Sequence, residues 1–101
     1  MSLPLHKQVI SRAHQLIEDP NHWARFAHAR DASGATCLPS SEDAVRFCAR
    51  GALYRAARDI SPDGSTALFA RVAWSLPCLA LVNDFRGHAA VLKCFKKALA
   101  S

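Results

Sequence analysis

The chain has 101 residues, half of them hydrophobic, and 13 Lys and Arg against 8 Asp and Glu give it a net charge of +5. That length holds one domain, residues 1–101, and the hydrophobic share excludes a chain disordered by composition. The charge is modest and scattered, which gives weak attraction to acidic partners but not the clustered basic signature of a dedicated nucleic-acid binder.

The hydrophobic set is dominated by alanine and poor in β-branched residues, which favours helices over strands. The first predicted helix runs from about Leu5 to Glu18, with Leu5, Val9, Ala13, Leu16 and Ile17 on one face and Lys7, Arg12 and Gln15 on the wet side. Pro20 stops it, because a proline pushes the preceding residue out of the helical region.

The next stretch, "NHWARFAHARDASGATCLPS", reads two ways. Trp23, Phe26, Ala27 and Arg30 would share a face of a short helix. Against that, "DASG" puts Asp31 at the first and Gly34 at the fourth position of a type I turn. The turn reading is favoured and predicts a small β-hairpin near residues 23–38, with "WARFAHAR" leading in and "ATCL" leading out.

The central helix is predicted to begin near Ser40 or Ser41, where Ser40 and Asp43 suit an N-cap pair and Glu42 and Asp43 put negative charge at the positive end. Val45, Cys48, Ala49, Ala52, Leu53 and Ala56 form its apolar stripe, and Phe47, Gly51 and Tyr54 a second apolar side. A helix apolar on two sides is covered on both. It is therefore the middle of the domain, with Gly51 letting a neighbour's backbone come close. Arg46, Arg50 and Arg55 leave through the sides.

"SPDGS" at 61–65 is a turn. A third helix follows from about Ser65 to Ser75, carrying Leu68, Val72 and Trp74 inward, and Pro77 breaks or kinks it. "CLALVNDF" is a short buried segment whose type the pattern leaves open. Gly87 then allows a chain reversal before the last helix, His88 to Ala100, with Val91, Leu92, Phe95 and Leu99 inward and Lys93, Lys96 and Lys97 outward. The expected fold is mostly α: one compact domain of about four helices around a central buried helix, with the short hairpin between the first two.

No secretory signal is read at the N-terminus, where Pro4, His6, Lys7 and Gln8 interrupt any apolar run. Free thiols are then the default for Cys37, Cys48, Cys78 and Cys94, and without a C-x-x-C pair a structural zinc site is not expected. The most apolar run, "VAWSLPCLALV", is too short for a membrane span. The expected setting is cytoplasmic.

Three segments together resemble a family of small bacterial proteins known only as a domain of unknown function: "WARFAHARDASG" at 23–34, "AVRFCARGAL" at 44–53 and "VNDFRGHAAVLKCFKKAL" at 82–99. That family's pattern is a Trp, then Ala-Arg-Asp and a turn Gly, then Ala-Val-x-Trp-Cys-x-x-Gly-Ala, then Asn-Asp before a final helix. Trp23, Ala29, Arg30, Asp31, Gly34, Ala44, Val45, Cys48, Gly51, Ala52, Asn83 and Asp84 match it. Phe47 stands where the family has Trp, and "RFAH" at 25–28 replaces a stretch that often carries Gln-Gly. The resemblance implies no activity.

Cys48 is the sharpest catalytic candidate. A nucleophilic cysteine needs a base and an electropositive setting, and His88 would be the base with Asp84 or Asn83 orienting it. Against this, Cys48 falls inside the core stripe and deeper than a helix's first turn, so packing is the favoured reading. Asn83 and Asp84 read first as caps. Arg30 offers a fork of donors to a carboxylate or phosphate, and Asp31 starts the turn. Trp23, Arg30, Asp31 and Asn83 are thus the ligand-binding candidates. The five histidines show no metal spacing, and neither metal nor cofactor is expected. Arg46, Arg50 and Arg55 with Tyr54 would make a basic aromatic patch for nucleic acid, which no recognition motif supports. The function expected is a non-enzymatic binding or protein-interaction module with an unknown protein partner or self-association. The alternatives are a thiol-dependent hydrolase using Cys48 and His88, and weak nucleic-acid binding.

Overall fold

The computed structural model describes residues 3–77 and 79–101; Cys78, counted above among the thiols, lies outside them. Five helices make up most of the chain: α1 Leu5–Ile17, α2 Ala49–Ile60, α3 Ser65–Ser75, α4 Leu79–Phe85 and α5 His88–Ala100. A one-turn 3-10 helix at Pro20–His22 and two short strands, β1 Ala29–Arg30 and β2 Arg46–Phe47, lie between α1 and α2. The mostly α expectation stands. The helix beyond the expected four is α4, the segment that periodicity left open.

α1 starts on the Pro4 carbonyl, which accepts from the backbone N–H of Lys7 and Gln8. Val9, Ile10, Ala13 and Ile17 are its buried face. Ile10 belongs to that face, while Leu5 is exposed at the helix's first residue. Pro20 opens the 3-10 turn, which Asp19 caps by accepting from the Asn21 N–H at 2.9 Å.

The turn at 31–34 forms as expected. Gly34 N–H donates to the Asp31 carbonyl at 3.0 Å, and Gly34 takes a positive φ of 90°. Asp31 Oδ1 accepts from Ser33 N–H, Ser33 Oγ–H and Ala35 N–H. Beyond the turn, Arg30 bridges Thr36, so the short hairpin is present. β1 also pairs antiparallel with β2, in the register Ala29 to Phe47 and Arg30 to Arg46.

That second pairing corrects the start of the central helix. It begins at Ala49, not near Ser40 or Ser41, and Ser41 Oγ instead accepts from Asp43 N–H in a local turn. The reason is tertiary. The Phe47 carbonyl takes the Ala24 N–H and Val45 N–H donates to the Arg30 carbonyl, each at 2.9 Å, so residues 45–47 are held extended. Val45 is consequently exposed rather than part of a helical stripe, whereas Phe47 is buried from β2.

α2 is central, packing on α1, α3 and α4. Its buried residues are small, Ala49, Gly51, Ala52, Ala56 and Ala57 around Leu53, so neighbours approach closely. Gly51 does what its position suggested. A Cβ there would lie 1.9 Å from the His28 carbonyl oxygen, so only glycine lets the 23–28 segment cross α2. Tyr54 meets Phe69 of α3 edge-on at 5.5 Å.

α3 buries Leu68 and Val72, but Trp74 points out, contrary to expectation. Two residues beyond Val72, it lies roughly 200° around the helix from that buried position. After α4 the Val82 carbonyl accepts from Arg86 and Gly87 N–H. Gly87 reverses the chain at φ 95° and ψ −176°, a region open in practice only to glycine. α5 returns over α1 and α4, burying Val91 and Phe95. One core cluster joins all five helices.

Candidate functional site

Three sequence-chosen residues meet where the 23–28 segment, the start of α2 and the end of α4 converge. Asn83, 1% exposed, is the hub. Its Oδ1 accepts from Trp23 Nε1–H at 2.6 Å and Ala49 N–H at 2.9 Å. Its Nδ2 donates to the Ala24 carbonyl at 3.0 Å and to Asp84 Oδ1 at 3.1 Å. Asp84 Oδ1 also accepts from Phe26 N–H at 3.0 Å. The Asn-Asp pair is therefore a cap, of a helix distant in sequence and of a crossing loop. Phe26 takes φ 62°, a costly backbone for a bulky residue, and the Asp84 bond helps hold it.

Cys48 is the N-cap of α2, not a residue deep in the helix. Its Sγ accepts from Gly51 N–H at 3.2 Å, and its own N–H donates to the His28 carbonyl at 3.1 Å. It is 8% exposed. Burial pushes the thiol above its ordinary value, with Asp84 adding to the rise. The backbone N–H groups of Gly51 and Arg50 and the Arg50 charge pull the other way. The sequence pattern places Cys48 deeper than a helix's first turn, which counts against catalysis; it in fact sits at a helix start, but burial there favours the protonated thiol. His88 does not face it in a dyad. Its Nε2–H donates to the Ile17 carbonyl at 2.6 Å, and its ring lies 5.6 Å from that of Trp23. The histidine that shares a cleft with Cys48 is His28, together with Asp84 and Arg50, in a cavity of about 290 Å³.

The remaining candidates are spent on the fold. Arg30 donates to the Gly34 carbonyl at 2.9 Å and to the Arg25 carbonyl at 3.5 Å, closing the hairpin. Asp31 holds the turn, and Ser33, as donor, draws its carboxyl below the usual carboxylate value. Trp23 is pinned by Asn83 and covered by the Arg25 guanidinium at 5.3 Å. In the basic patch, Arg55 donates to the Pro39 and Ser41 carbonyls and pairs with Asp59. Among the described residues, no group of three His, Cys, Asp or Glu is placed to hold a metal ion. No single helix among them is long and apolar enough to cross a membrane.

Sequence reasoning missed an apolar surface beside the Cys48 cleft. A groove of about 470 Å³ runs between α3 and α4, lined by Phe69, Trp74, Leu76, Pro77 and Leu81 among others, with Arg50 its one charged residue among the described residues. It shares Arg50 and Ala80 with the Cys48 cleft. Trp74 is 86% exposed, Phe85 74%, Phe26 65% and Leu81 59%. Phe26, on the Cys48 cleft, meets Phe85 edge-on at 6.1 Å. The signal was there in the spacing. Leu79 and Asn83 face inward at i and i+4, so Leu81 and Phe85 fall on the opposite side.

Fold and site together describe a small helical domain with an internally bonded polar hub and an uncovered aromatic groove. Residues 1–100 match the model of the family of unknown function DUF6197, and the chain belongs to that family. No curated protein and no solved structure is matched.

Proposed function

We propose that this protein is a non-enzymatic protein-interaction module of the bacterial cytoplasm that docks a partner on the α3–α4 face. The observation that carries this reading is the placing of exposed Trp74 and Leu81 on one groove and of exposed Phe26, packed against Phe85, on the groove that adjoins it. Large apolar side chains left in water singly are ordinary, whereas a contiguous patch marks an interaction site. Trp and Arg are also the residues that most often dominate binding energy at interfaces, and Trp74 and Arg50 line one groove. The polar hub supports a scaffold role, since its bonds are internal. Cys37, Cys48 and Cys94 are free thiols, as fits a reducing compartment.

Photo-cross-linking in cells tests the reading. With benzoylphenylalanine in place of Trp74, a discrete adduct to one protein, or to a second copy of this chain, is expected. The same probe at Lys96, exposed on α5, should give none. Identical background from both positions would refute the docking face.

A further inference from the structure

Resting on that docking face, we infer that its occupant is an acidic amphipathic helix from another protein, with a carboxylate set against Arg50. The groove lies between α3 and α4, and its apolar walls are of the kind on which the apolar stripe of a helix packs. It offers apolar walls from Phe69, Trp74, Leu76 and Leu81, and among the described residues its charge comes from Arg50 alone. Arg50 is exposed and lies over the Phe69 ring at 5.7 Å, so its guanidinium is anchored without a carboxylate partner among the described residues. Beside the adjoining Cys48 cleft, Arg25 lies over Phe26, one of that cleft's lining residues, at 6.0 Å. Asp84 lines the adjoining Cys48 cleft with Arg50 but not the α3–α4 groove, and its Oδ1 is engaged by the Phe26 N–H and by Asn83.

The face is thus apolar with a cationic rim, on a chain of net charge +5. Charge decides between the two protein occupants. A second copy would bring the same arginines against each other around one apolar patch, and like charges across an interface are costly. An acidic partner meets Arg50 with opposite charge and gains in encounter rate as well.

Three synthetic helical peptides test the inference. They share one apolar face, with Leu and Phe at i, i+3, i+4 and i+7, and carry Glu, Gln or Lys elsewhere. Binding is read by fluorescence anisotropy of a labelled peptide. The Glu peptide should bind at least about tenfold more tightly than the Lys peptide at low salt, and the gap should shrink as salt screens it. R50Q should remove most of that gap while leaving the circular dichroism spectrum unchanged, since Arg50 is exposed. W74S should weaken all three peptides together. A Glu peptide that binds no better than the Gln peptide, or a preference that survives R50Q, overturns the inference. So does tighter binding to phosphatidylglycerol vesicles than to any peptide, which would make the face a lipid surface. If none of the peptides binds, the acidic helix is overturned, while the docking face still stands or falls by the cross-link at position 74.

Discussion

At residue scale, the densest chemistry in this protein turns out to be structural. A buried asparagine with two acceptor and two donor contacts is fully used. Through Trp23, Ala24, Ala49 and Asp84, Asn83 ties three segments that are far apart in sequence. Leaving buried polar groups unmatched costs about 1–3 kcal/mol each. Asn83→Ala strands the Trp23 Nε1–H, the Ala49 N–H and the Ala24 carbonyl. It should therefore lower stability by roughly 3 kcal/mol or more, measured by urea unfolding followed through tryptophan fluorescence. Asn83→Asp should be worse at neutral pH, because a carboxylate oxygen then faces the Ala24 carbonyl and Asp84. A variant as stable as wild type would mean that the hub does not hold these segments. His14 makes a useful contrast. Its Nε2 is buried and has no partner among the described residues, and no role for it follows from its surroundings.

At element scale, the central helix shows what was legible and what was not. Its interior, Ala49 to Ala56, its central position and the need for a small residue at 51 all followed from local pattern. Its start did not. Ser40 with Asp43 is a good local cap, yet the pairing of β2 with β1 and the Asn83 side chain, neither visible at short range, move the first turn to Ala49. The same limit hid the partners of Arg30 and Asn83, which are set by the crossing of the 23–28 segment. The outward faces of α3 and α4 were different. The i, i+4 spacing of Leu68 with Val72 and of Leu79 with Asn83 already places Trp74, Leu81 and Phe85 outside, and hydrophobicity alone led the other way for Trp74. The crossing itself can be tested. Gly51→Ala places a methyl group 1.9 Å from the His28 carbonyl oxygen, and the obstacle is backbone rather than a flexible side chain. The expected cost is about 1–3 kcal/mol, or a fall in Tm of roughly 10 °C for a domain of this size. Gly64→Ala serves as the control, since a Cβ there meets only the Ser61 hydroxyl. Equal melting temperatures for the two variants would contradict the close approach.

At the scale of the whole molecule, one core joins the five helices while one face stays apolar and open, so folding stability and docking can be measured separately. The pH dependence of folding reports on the first without touching the second. Among the described residues two groups have shifted titrations, and they act at opposite ends. Asp31 is lowered in the folded state from an ordinary 3.8, with the Ser33 hydrogen bond as the leading cause. A carboxyl that is more acidic when folded contributes stability above its unfolded value, and that contribution disappears as pH falls through the folded one. Cys48 is raised from 9.0, chiefly by burial. A thiol that holds its proton longer when folded contributes fully below its unfolded value, and the contribution is lost as pH rises from there through the folded value. The urea midpoint should therefore form a plateau between these limits, declining below about pH 4 and above about pH 9. Asp31→Asn should flatten part of the acid decline and leave the alkaline side alone. Cys48→Ser keeps a side-chain acceptor at the start of α2 and should remove part of the alkaline decline while leaving the acid side unchanged. An alkaline limb unaffected by Cys48→Ser would mean that the thiol ionises as freely in the folded protein as in the unfolded chain. The sulfur would then have to be accessible in the His28 cleft, and the thiol-enzyme reading would regain the ground that its burial removes.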